Sequence, residues 1–180
     1  SATAAEMKLL ADAAKELGKE IAAYYQYAVA GPPSVPPGAN IIKDSGVTAG
    51  DVEKALLSDF KALEAKESEI LPLLPNAFFD TATAITNGLL GMSLNGLIPA
   101  APATVQTTGY SVISGGNPTT LGTAISAAMG LTSPIATANA LVLALTANNL
   151  LVKGMYVGQM PSTTGLVATV PTPIPWFTLV

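Results

Sequence analysis

Residues 81–180 carry a single charge, Lys153, while the other 19 charged side chains all fall within residues 1–80. A hundred residues with one ion cannot be kept dispersed by charge. Whatever they fold into must hide much of its surface or clothe it in neutral polar atoms. Charged residues make up 11% of the chain, against about a quarter in ordinary soluble domains. The second half compensates with 17 Thr, together with Ser, Asn and Gln.

The best candidate for a membrane span is residues 135–152, which have no charge but include Thr137, Asn139, Thr146, Asn148 and Asn149. At about 100° per residue, Thr137 and Asn148 share one side of a helix, and Asn139 and Thr146 lie almost opposite. Any orientation in lipid would thrust polar groups into hydrocarbon. The segment reads instead as a helix held between protein neighbours, with no membrane span.

The residues that most chemistry needs are missing. The chain has no His, no Cys and no Arg, and all eight of its cations are Lys. Without His the commonest general base and the commonest ligand of catalytic zinc are lost, and without Cys so is any disulfide framework. No phosphate-cradling Gly-rich loop and no Gly-x-Ser-x-Gly elbow occurs. A net charge of −4 with dispersed Lys argues against nucleic acid. The expectation is a chain with no catalytic, cofactor-binding or metal-binding residues and no cofactor.

The chain in order supports that reading. Thr3 and Glu6 have capping-box spacing, and Leu10, Ala14, Leu17, Ile21, Tyr24 or Tyr25, and Ala28 recur at helical steps. They predict an amphipathic helix of about 25 residues whose Tyr rings cover its end with their hydroxyls in water. Residues 31–38 hold four Pro between two Gly and form a stiff extended link. Thr48 and Asp51 open a second helix over roughly 49–71, ended by Pro72 and Pro75, with Val52, Leu56, Phe60, Leu63, Ile70 and Leu74 on its stripe. Its acids, Asp59 among them, alternate with Lys54, Lys61 and Lys66 as a solvated face. Glu64 and Glu67, three apart, belong to that face rather than to a metal site.

Asp80 reads as the N-cap of a helix that begins at Thr81 and loosens through Gly88, Gly91 and Gly96. Residues 104–114 alternate as a strand and close at Gly115 and Gly116. Asn117-Pro118 and Ser133-Pro134 are two helix starts, a capping side chain followed by Pro at the first helical position. The first of these helices should stop at Gly130. The second should run to about Lys153, whose charge would favour a helix C-terminus. Residues 155–159 and 165–170 look like a β-hairpin. The runs 85–92 and 145–155 resemble one another with gaps, each leading from a helix towards strand sequence.

The last ten residues have Pro at alternate positions and the only Trp of the chain. Pro bars this arm from a central strand. Pro173, Ile174, Pro175, Trp176, Phe177, Leu179 and Val180 are the expected subunit interface, seated in a groove on a neighbouring copy.

An amphipathic helical start, an uncharged Ala/Thr/Gly/Leu-rich half (119–130, then a helix into Val152-Lys153-Gly154-Met155) and a Pro-rich arm together resemble bacteriophage virion structural proteins. The resemblance is one of character across most of 77–180. It implies a non-enzymatic structural subunit of a capsid, neck or tail, whose partners are copies of itself and other structural proteins. Residues 1–6 show no secretory signal pattern, which suits assembly in a host cytoplasm and a place in the virion. A chain with its signal already removed reads the same. Extracellular filament or pilus subunits, and a Thr-rich surface- or carbohydrate-binding module, are the alternatives. The expected fold is α+β and mainly α: an N-terminal antiparallel helix pair over 1–76, three further helices and a small antiparallel β element over 77–170, and the extended arm 171–180.

Overall fold

A computed structural model describes the backbone of residues 3–27, 30–31, 42–43, 46–65, 75–90, 93–100, 103–148, 151–162, 165–168 and 178–179. Side chains are described for residues 3–26, 46–65, 75–90, 112 and 114–148. Among the described residues the chain is mainly helical, with five helices.

The first helix, α1 (Ala4–Tyr27), opens on the reciprocal cap expected of its sequence. The Thr3 amide donates to Glu6 Oε2 at 2.7 Å, and the Glu6 amide donates to Thr3 Oγ1 at 3.2 Å. In α2 (Ala49–Glu64) the Thr48 side chain accepts from the Asp51 amide. This helix closes on Ala65, short of the expected 71. Lys19, Ala22, Ala23 and Gln26 near the end of α1 line one shallow cleft with Val47, Thr48 and Ala49 at the start of α2. That is the arrangement of antiparallel neighbours, and these two helices share the most extensive helix–helix contact.

Asp80 is not the cap of the third helix, α3 (Phe79–Leu89). The N-cap is Phe78, which makes no side-chain capping bond, and Asp80 lies inside the first turn. The helix ends earlier than its sequence suggests, where Leu90 turns extended (ψ 132°) between Gly88 and Gly91. In α4 (Pro118–Met129) Asn117 Oδ1 accepts from the amides of Thr119 and Thr120, and Gly130 closes the helix. In α5 (Pro134–Thr146) Ser133 Oγ accepts from the Ala136 amide.

The expected run of this last helix to Lys153 is wrong. It stops at Thr146, whose hydroxyl bonds back to the Val142 carbonyl at 2.8 Å, and Asn148 is committed to a contact elsewhere in the fold. Lys153 falls in an extended stretch beyond it, so no helix terminus accounts for that charge.

Seven extended stretches join the helices: β1 (Ala30–Gly31), β2 (Ile42–Lys43), β3 (Ser93–Ala100), β4 (Ala103–Ser114), β5 (Leu151–Ser162), β6 (Gly165–Ala168) and β7 (Thr178–Leu179). Their backbones pair antiparallel in the order β2-β3-β4-β5-β6, with β1 and β7 paired separately. Leu97 stands opposite Gln106, and Thr107 opposite Tyr156. The similar runs 85–92 and 145–155 are the passages from α3 towards β3 and from α5 into β5, and both strands flank β4.

The helices pack in chain order, α1 on α2, α2 on α3, α3 on α4 and α4 on α5. Their apolar stripes meet in one core that includes Ala14, Ile21 and Tyr25 of α1, Val52 and Leu56 of α2, and Ala82, Ile85 and Leu89 of α3. Val47, Phe78, Val112, Leu121, Ile125, Ala128, Leu141, Ala144 and Leu145 also belong to it. Phe60 packs edge-on to Phe78, with ring centroids 5.9 Å apart. Each large side chain buried in this way contributes about 1.5–3 kcal/mol.

Candidate assembly surface

The outer face of α5 is the largest anomaly on the described surface. A helix at the edge of a core ordinarily turns charged or polar side chains outward. This one buries Leu141, Ala144 and Leu145 and turns Ile135, Ala138, Asn139, Val142 and Leu143 to solvent. Ile135 is 75% exposed, Leu143 68% and Val142 52%, with Leu131 at 46% just before the helix. At helical spacing these residues form one stripe, and no ionisable side chain lies anywhere in 118–146. Leu9 of α1 and Phe79 of α3 have charged neighbours in sequence, and Leu90 is a single exposed residue at the C-cap of α3.

Two hydrogen bonds fasten the C-terminal end of α5 to the rest of the fold. At its end, the Tyr24 hydroxyl of α1 and the Thr146 hydroxyl lie 2.9 Å apart in a hydrogen bond. One residue beyond the C-cap, Asn148 Nδ2 donates to the Gly115 carbonyl at 2.9 Å, in a buried site. Tyr25 packs edge-on to Tyr24 and is fully buried, which corrects the expectation that both hydroxyls are in water. Burial raises the Tyr25 phenol well above its ordinary range, with Tyr24 adding to the rise, so it stays neutral. Asn148 beside its hydroxyl opposes that rise by less, and among the described residues the hydroxyl makes no hydrogen bond of good geometry.

A second cluster joins α2 to α3. Asp59 was expected on the solvated face of α2, yet it is only 4% exposed. Its Oδ2 accepts from the Thr81 amide at 2.9 Å and from the Thr81 hydroxyl at 2.6 Å. A carboxylate of one helix therefore occupies the capping position that Phe78 leaves vacant at the start of the next. Burial raises the Asp59 carboxyl above its ordinary pKa, and the nearby Asp80 adds to the rise, against the two Thr81 bonds that lower it. The Ser58 hydroxyl donates to Asp80 Oδ2 at 3.1 Å.

An open cleft of about 430 Å³ is lined by Asp59, Leu63, Asn76, Phe79 and Asp80 among others. Its two carboxylates face no base or cation within that lining. Among the described residues no three His, Cys, Asp or Glu side chains converge as metal ligands. The cleft is best explained as the mouth of the α2–α3 joint.

No family model, curated protein or solved structure matches this chain. The reading of its surface therefore rests on its own residues. No helix among the described residues is long and apolar enough to cross a membrane. Of the arm, Pro173, Ile174, Pro175, Trp176, Phe177 and Val180 lie outside the described residues, as does Glu67 of the acidic pair. The backbone of Leu179 is described, in β7, where it stands opposite Ala30 of the same chain.

The α5 face had a signal in the sequence. Residues 134–146 carry no charge on any side and only Thr137, Asn139 and Thr146 as polar groups, so no charged face marks one side of this helix for solvent. Asp59 had none, because its partner is an amide 22 residues away that no spacing rule points to.

Proposed function

We propose that this chain is a non-enzymatic structural subunit that assembles with copies of itself, and with other structural proteins, into a larger particle. The uncharged, apolar outer face of α5 is the observation that carries this reading. Depletion of charge and concentration of large aliphatic side chains mark the centre of an interface, whereas scattered single apolar residues do not. The particle is a phage virion, in its capsid, neck or tail, on the strength of the resemblance in sequence character. In this reading the charged surfaces of α1 and α2 face solvent. The small antiparallel β element extends the contacts between copies, and the arm seats Pro173, Ile174, Pro175, Trp176, Phe177 and Val180 on a neighbour.

Salt separates this account from association through charges. Contacts between neutral surfaces are not screened, so sedimentation of the full chain should give an association constant that changes less than about threefold between 0.1 and 1 M NaCl. Dissociation in high salt would place the contact on the charged helices and contradict the proposal.

A further inference from the structure

We propose that the outer face of α5 is a two-fold contact in which this helix packs against α5 of a second copy; this deepens the self-assembly reading and rests on it. Two observations select a second copy as the occupant. The face carries no ion, and neither does the rest of 118–146, so a charged partner would bury its ions with nothing to pair them. A second copy meets it in kind.

The pattern also suits a helix partner. Ile135, Ala138 and Val142 follow the three- and four-residue steps of a seam between two helices, with the small Ala138 in the middle to let the backbones approach. Asn139 lies within the stripe, between Ile135 and Leu143, as one neutral polar group among the aliphatic side chains.

The exposed area sets the extent of this contact. The exposed parts of Leu131, Ile135, Val142 and Leu143 amount to roughly 300 Å² of apolar surface. A standard interface buries about 800 Å² on each partner. The helix pair is therefore the apolar centre of a contact and under half of its extent. On its own it associates weakly, and surrounding neutral surface of the same half completes it.

The chain has no Cys, which makes single cysteines clean reporters. Across a two-fold axis a residue near the axis faces its own copy within disulfide reach. Under mild oxidation the full chain carrying Ala138→Cys or Val142→Cys should form a covalent dimer, and Leu9→Cys on α1 should not. Val142→Glu should weaken wild-type association at least tenfold with the helical circular dichroism unchanged.

Absence of 138 and 142 dimers from a chain that still assembles would overturn the α5 contact and leave the assembly reading standing. A wild-type chain that stays monomeric at every concentration would overturn both. If the double variant Val142→Cys/Ile174→Cys closes an intramolecular disulfide in a monomer, the arm of the same chain covers the face and the two-fold contact is wrong.

Discussion

Replacing Gly115 with Ala should remove about 3–5 kcal/mol of stability, a large part of the 5–15 kcal/mol that holds a typical domain together. The buried Gly115 follows β4, and a Cβ built on it would overlap the Thr86 carbonyl oxygen of α3. Both sides of that contact are backbone, so no rotamer change relieves it, and α3 would have to move off its packing on α4. Gly116 adds a second constraint. Its φ of +102° is in the left-handed range, and a Cβ there would overlap the Asn148 side chain. Since Asn148 donates to the Gly115 carbonyl, this two-glycine turn is the point where α3, the start of α4 and the end of α5 are tied together. Gly50 in α2 is the control, because nothing lies within 4 Å of its Cβ position. Gly50→Ala should be neutral or stabilising by up to about 1 kcal/mol. Urea unfolding followed by circular dichroism measures all of these. A Gly115→Ala chain with the wild-type midpoint would mean that α3 does not pack against this turn.

Asp59→Ala should cost about 2–3 kcal/mol. It leaves the Thr81 amide and hydroxyl without an acceptor in a buried site, at about 1–3 kcal/mol each, less what is recovered by no longer burying a carboxylate. Asp59→Asn keeps an acceptor and removes the charge, and should cost under about 1 kcal/mol. The two variants also differ from wild type in pH dependence. The folded state raises the Asp59 pKa above its ordinary value near 3.8. Folded protein therefore binds this proton more tightly than the unfolded chain does. The stabilisation is complete below about pH 3.8 and is lost as pH rises through the raised value. The stability of wild type minus that of Asp59→Asn should accordingly fall as pH rises from 3.8 through the raised value. A difference independent of pH would mean that the carboxylate is solvated as the sequence suggested.

The helix boundaries were legible wherever a local device sets them. The Thr3–Glu6 box, the Thr48 cap, and the Asn117-Pro118 and Ser133-Pro134 starts each act within three or four residues, and each stands where its spacing places it. What could not be read from the chain depends on distant partners. Asp59 looks like one member of an alternating charged face until Thr81 is brought to it. The end of α5 is set by Thr146 and Asn148 reaching Tyr24 and Gly115, not by the composition of residues 147–153. Asp80 resembles a cap, but the turn over 75–78 delivers Phe78 to that position. The uncharged segment 135–152 was expected to be a helix held between protein neighbours. Among the described residues, α4, α1 and the short β7 supply neighbours for part of its circumference, and the exposed remainder is the basis of the functional proposal.

Solvent contact at that uncovered stripe, measured by hydroxyl-radical footprinting across dilution, tests the account most directly. On going from dilute to concentrated full-length chain, labelling of Ile135, Val142 and Leu143 should fall while that of Leu9 holds constant. Equal labelling of all four at every concentration, or protection of Leu9 in place of the α5 residues, would contradict it.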